Sequence, residues 1–84
     1  MRLEEIINKH RQSLNDTDMV IYKYIVQHRA ESRHISIHEL ARNCAVSSTT
    51  IVRFAQKLGF EGFGDLKAVL KMEEGAESYY REDV

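Results

Sequence analysis

Proline is absent from this chain, and glycine occurs only four times in 84 residues. Both residues destabilise helix interiors, so their scarcity favours an all-α fold. No stretch alternates apolar and polar residues as a half-buried strand would, and the residues after Gly59 do not read as the two-stranded wing of a winged helix. The one cysteine, Cys44, has no partner for an internal disulfide; this fits a reducing cytoplasm and excludes a cysteine-built zinc site. No apolar run approaches the roughly 20 residues needed to span a bilayer. Residues 1–10 are charged and amphipathic, unlike a signal peptide, so a cytoplasmic domain without membrane contact is expected. Internal repeats and low-complexity segments are also lacking. A chain of this length forms one domain. It buries only about 60% of its unfolded surface, so a second subunit would help its core.

Charge of either sign is not in large excess: the formal net charge is −1. Its distribution is uneven. Residues 1–28 balance. Residues 29–71 carry Arg29, Arg33, Arg42, Arg53, Lys57, Lys67 and Lys71 against Glu31, Glu39, Glu61 and Asp65, a surplus of three positive charges. Residues 72–84 are acidic. Local charge sets the field at a binding face, so the basic middle can meet a polyanion. The surplus is modest, which makes one copy a weak binder and again favours a dimer.

Five helices are predicted from periodicity and caps, at about 3–13, 16–29, 37–44, 48–58 and 63–73. Asn15 is a good N-cap with Asp18 three residues on, where an acid can reach back. Ser36 and Glu39 form an S-x-x-E capping box, with Ile35 and Leu40 at the staple positions around it. Ser47 caps the next helix, which stops at Gly59, suited to the left-handed position just past a helix end. Residues 30–34 read as a polar connection, and residues 75–84 as an acidic tail or the start of a linker.

The informative stretch is Ile37 to Gln56. Two short helices joined by a turn at Ala45-Val46 have the form of a helix-turn-helix. Leu40, Ala41, Cys44, Val46, Ile51 and Phe54 fall on inward positions, and Ala41 is small enough for two helices to cross closely. The outward set is Ser47, Ser48, Thr49, Val52, Arg53 and Gln56, followed by Lys57. Arg53 can reach guanine N7 and O6 with its fork, and Gln56 can pair with adenine. The hydroxyls lie at the end of a recognition helix that enters a major groove. No carboxylate occurs between Arg42 and Gly59, so nothing in that stretch repels a phosphate backbone.

Ser36-Ile37-His38-Glu39-Leu40-Ala41, Val46-Ser47, Thr50-Ile51-Val52-Arg53-Phe54, Lys57-Leu58-Gly59-Phe60, Gly62-Phe63 and Leu66-Lys67 resemble the N-terminal domain of the RpiR family of bacterial transcriptional regulators. Leu14-Asn15, Ile21 and Tyr24-Ile25 match the opening of that domain, so the resemblance covers about residues 3–73. It implies a dimeric or larger repressor or activator of sugar-metabolism genes. It also implies a C-terminal sugar-isomerase-like (SIS) domain binding a phosphosugar effector, which would begin where this chain ends. Ala45 departs from the glycine found in many such turns and would be strained at positive φ. Gln56 stands where the family often has a basic residue.

The resulting expectation is an all-α, five-helix bundle over residues 1–74 with a tri-helical helix-turn-helix core and no wing, binding double-stranded DNA as a homodimer. Expected DNA-binding residues are Ser36, Arg42, Ser47, Ser48, Thr49, Thr50, Val52, Arg53, Gln56, Lys57 and Lys67. Among them Arg42, Lys57 and Lys67 would meet phosphates. Leu3, Ile6, Ile7, Met19 and Val20 are candidates for a dimer surface, with packing inside the chain as the alternative for Met19 and Val20. No cofactor, metal or catalytic set is expected. His34 and His38 are four apart, but Ser36 starts a helix between them and no third ligand is near. Gly59, Gly62 and Gly64 read as a helix cap and a corner rather than a phosphate loop. The alternative function is a helical protein-interaction module that reuses a helix-turn-helix core.

Overall fold

The computed structural model describes residues 2–82, with side chains through Glu73. Six helices form the domain: α1 (Leu3–Lys9), α2 (Asp16–Gln27), α3 (Arg29–Ser32), α4 (Ile37–Asn43), α5 (Ser48–Lys57) and α6 (Phe63–Glu82). No strand occurs among the described residues. The all-α fold and the helix-turn-helix of α4 and α5 therefore match the sequence reading. The core gathers Leu3, Ile6 and Ile7 from α1, Ile21 and Ile25 from α2, Leu40 and Ala41 from α4, Ile51, Phe54 and Leu58 from the α5 region, and Phe63, Leu66 and Leu70 from α6.

Three helix starts are fixed by side-chain caps. At α2 the box closes in both directions. Asn15 Oδ1 accepts from the Asp18 N–H at 2.9 Å, and Asp18 Oδ2 accepts from the Asn15 N–H at 3.0 Å. At α4 the serine half forms, with Ser36 Oγ accepting from the Glu39 N–H at 3.1 Å. At α5 Ser47 Oγ accepts from the Thr50 N–H at 3.2 Å.

Two helix ends are built alike. After α5, Gly59 has φ 94°, its N–H reaches the Gln56 carbonyl, and the Phe60 N–H reaches the Ala55 carbonyl. After α4, Ala45 has φ 57°, its N–H reaches the Arg42 carbonyl, and the Val46 N–H reaches the Ala41 carbonyl. Both are Schellman motifs, which turn the chain sharply while satisfying carbonyls at the helix end. The turn of the helix-turn-helix is thus a left-handed stop occupied by alanine.

The structure departs from the expected five helices in three places. The first helix ends at Lys9 and tightens into a 3₁₀ turn at Arg11–Ser13. Where the second helix was expected to run to residue 29 and a polar connection to follow at 30–34, α2 stops at Gln27 and Arg29–Ser32 form α3. Its buried residue is Ser32, so it has no apolar stripe for periodicity to detect. Charged groups hold it instead: Arg29 pairs with Glu4 and with Glu73, and Arg33 Nε donates to the Leu70 carbonyl at 3.2 Å. Finally, α6 runs through Gly75 to Glu82, across most of the expected tail. Glutamate and alanine are good helix formers, and one glycine costs a helix only about 1 kcal/mol.

Glu73, one of the charges of the acidic segment 72–84 and the last residue of the expected fifth helix, is 7% exposed. Its Oε1 accepts from the Leu3 N–H, and its Oε2 lies 3.0 Å from Arg29 Nη1. One carboxylate thus ties α6 to the start of α1 and to α3.

A Cβ added at Gly59 would meet nothing within 4 Å, so Gly59→Ala tests backbone strain alone. It should cost about 1–2 kcal/mol in urea unfolding. Ala45→Gly relieves the same strain and should gain up to about 1 kcal/mol, net of the extra freedom of glycine in the unfolded chain. Glu73→Gln leaves buried donors poorly matched and should cost about 1–3 kcal/mol, seen as a lower melting temperature.

Candidate nucleic-acid interface

The buried side of α5 is Ile51, Phe54 and Ala55. Its opposite side carries Thr49, Val52, Arg53 and Gln56, at spacings of three, one and three that place them in one stripe. Thr49, Arg53 and Gln56 are exposed and Val52 is half-buried. Arg53 makes no ion pair with any described residue, so its five N–H donors face outward without a protein acceptor. Gln56 is held loosely, its Nε2 lying 3.4 Å from the Glu61 carbonyl. A long planar cation, an amide, a hydroxyl and a methyl-bearing side chain in one row match the donors, acceptors and thymine methyls of a major groove.

The remaining hydroxyls at the start of α5 are already engaged. Ser47 Oγ caps the helix and lies 2.9 Å from Thr50 Oγ1. Ser36, likewise, caps α4. Ser48 Oγ lies 3.1 Å from Nδ1 of His38, on the first turn of α4. Thr49 carries no such partner among the described residues.

The basic residues divide as well. Arg42 is exposed on the last turn of α4. Lys57 is turned inward: its Nζ is 2.6 Å from Oδ2 of Asp18, a residue 2% exposed. The stretch that lacks acids in sequence therefore receives one in space, from the start of α2. Lys67 Nζ donates to the Ile35 carbonyl at 3.1 Å and sits 5.5 Å from the centre of the Phe63 ring. A hollow of about 240 Å³ separates α2 from α5 beside the stripe, lined by Asn15, Thr17, Asp18, Thr50, Arg53 and Lys57.

Of the candidate dimer surface, Leu3, Ile6 and Ile7 lie in the chain's own core, because α1 needs that stripe to pack at all. Met19 is half-buried and Val20 is 50% exposed. Val20 borders an open groove of about 300 Å³ with Lys23, Tyr24, Gln27, Asn43, Cys44 and Ala45. Burial pushes the Cys44 thiol above its ordinary pKa, keeping it neutral and poorly nucleophilic at physiological pH.

His34 is exposed, and among the described residues no group of three or more His, Cys, Asp or Glu could hold a metal ion. Of the three glycines near the end of α5, only Gly59 has positive φ, so the segment is a helix stop and a corner. Sequence reasoning missed the roles of Asp18, Arg29, His38 and Glu73. Each depends on a partner distant in sequence; only the cap pairing of Asn15 with Asp18 was visible locally.

This division separates two variants. Lys57→Gln leaves Asp18 buried without its cation and should lower stability by about 1–3 kcal/mol in thermal or urea unfolding. Arg53→Ala should stay within about 0.5 kcal/mol of the parent, because it removes no intrachain bond.

A profile described as the helix-turn-helix domain of the rpiR family matches residues 1–77. The HTH-type transcriptional regulator GlvR of Bacillus subtilis (strain 168) is 47% identical over 77 residues, which are 92% of this chain and 30% of that protein. YfhH of Escherichia coli (strain K12), an uncharacterized HTH-type transcriptional regulator, is 38% identical over 64 residues, 76% of this chain and 23% of that protein. TTE0211 of Caldanaerobacter subterraneus, also an uncharacterized regulator of this type, is 32% identical over 62 residues, 74% of this chain and 22% of that protein. The chain thus spans less than a third of the length of each of these relatives. With the fold, the two Schellman turns and the outward stripe of α5 in place, the conclusion is that this chain belongs to the rpiR family of helix-turn-helix domains.

Proposed function

We propose that this chain is the double-stranded DNA reader of a transcriptional regulator, with α5 lying in the major groove. The observation that carries the reading is the stripe of Thr49, Val52, Arg53 and Gln56, opposite a fully buried face and led by an arginine without a protein partner. Arg53 and Gln56 would read base edges, with Thr49 and Val52 beside them, and Arg42 would meet the phosphate backbone. The role is binding rather than a reaction. It is supported by the similarity to GlvR and YfhH, which are HTH-type transcriptional regulators.

The reader would act as a homodimer, since one copy offers few free cations and small operators are commonly read as two half-sites. Val20, exposed on α2 beside Met19, is the proposed contact region. On the family resemblance, the regulated genes belong to sugar metabolism in the cytoplasm, and any phosphosugar effector would bind a separate C-terminal SIS-like domain. No described helix is long and apolar enough to cross a membrane.

The second reading is a protein-interaction module, favoured by Val20 and Val26 standing exposed on one helix. Salt separates the two. With duplexes selected from a randomised pool, DNA binding predicts affinity falling as salt rises from roughly 50 to 200 mM, by about three- to fourfold for each phosphate contacted. Binding indifferent to salt overturns the DNA reading. Arg53→Ala should weaken the selected duplex by about 1–3 kcal/mol and relax preference at one base pair. An equal loss on every duplex would move Arg53 from the base edges to the backbone.

A further inference from the structure

We infer that His38, on the non-reading helix α4, is a positioning residue that sets how Ser48 meets DNA. The inference rests on the proposed role of α5. Its basis is the contact between His38 Nδ1 and Ser48 Oγ, 3.1 Å, which joins the first turn of α4 to the first residue of α5 across an exposed surface.

The hydroxyls around it narrow the assignment. Ser47 and Thr50 are bonded to each other, and Ser47 also holds the Thr50 N–H. Those bonds belong to the helix start and would form in any capped helix. The Ser48 contact does not. It crosses between helices, its residue lies at the groove-facing end of α5, and it satisfies no helix terminus.

A hydroxyl has one donor hydrogen and two acceptor lone pairs, and it rotates to suit its partners. An imidazole that donates from Nδ1 occupies a lone pair of Ser48 and leaves the O–H free. That hydrogen can then point at a phosphate oxygen or at a purine N7 or O6. An imidazole that accepts at Nδ1 takes the hydrogen instead, and Ser48 faces the DNA as an acceptor, repelled by phosphate. Next to a polyanion the first arrangement is favoured. His38 thus acts through Ser48, fixing it as a donor in advance of binding and removing a rotor that DNA would otherwise have to order.

The test is a double-mutant cycle on duplexes selected from a randomised pool by the unmodified chain, with His38→Leu, Ser48→Ala and the pair. Each single variant should lose about five- to tenfold in affinity, the value of one ordinary hydrogen bond set against water. The double variant should lose no more than either single one. His38→Asn, whose amide can donate to the same oxygen, should keep affinity within about twofold. All four should melt at the temperature of the parent, which a merely structural role would not allow alongside lost affinity. Additive losses would show that His38 touches DNA on its own, and full affinity in His38→Leu would show that the contact plays no part; either overturns the inference. If Arg53→Ala binds like the parent, or no duplex is enriched, the reading of α5 fails and carries this inference with it.

Discussion

The φ of 57° at Ala45 sets the direction in which α5 leaves α4, and the stripe on α5 inherits its orientation from that dihedral. The turn succeeds because both flanking carbonyl–amide pairs close, from Ala45 to Arg42 and from Val46 to Ala41. It is also held from beneath. Leu40 and Ala41 on one helix and Ile51 and Phe54 on the next share one core, and a larger residue at Ala41 would push the helices apart. An alanine at a left-handed position is strained by about 1–2 kcal/mol relative to right-handed backbone, so the core and the two turn bonds must overcome it. The second stop, at Gly59, meets the same geometric demand with the residue that adopts it freely, and from there α6 runs back against α3 and α5.

A second layer of constraint is polar. Asp18 closes the cap of α2 and accepts Lys57 from α5, so one carboxylate fixes the start of one helix and the flank of another. Glu73 does the same for α1, α3 and α6. Buried ionic contacts of this kind add little net stability over apolar packing, because both ions must leave water. Their directionality is what matters here: a carboxylate with two specific donors admits fewer helix arrangements than an apolar contact of the same area.

Much of this was legible in the sequence because it rests on local rules. The caps at Asn15, Ser36 and Ser47, the stop at Gly59, and the strain at Ala45 each depend on residues within a few positions of one another. The inward and outward faces of α5 follow from a period of 3.6, and Ala55, left out of the inward set, is the next position on the same stripe. What could not be read depends on contacts between distant residues. Helix α3 has no apolar period, since Arg29 and Arg33 are held by Glu4, Glu73 and a carbonyl of α6. Lys57 and Lys67 look like free cations in a basic stretch, yet each has a partner supplied by another element. Net charge counted along a segment therefore overstated the charge available to a ligand.

That last point bears on how such a domain could discriminate between duplexes. Affinity from counterion release scales with the number of cations that reach phosphates and is blind to sequence. Locking Lys57 and Lys67 into the fold reduces that nonspecific component while leaving Arg53 and the short polar side chains beside it exposed. A reader built in this way would gain less from the phosphate backbone, so a larger share of its binding energy would come from base edges. Each correct base contact would then shift occupancy by a larger fraction of the total. The inward-facing lysines, which at first sight weaken the case for a polyanion ligand, are what a selective rather than a tenacious binder requires.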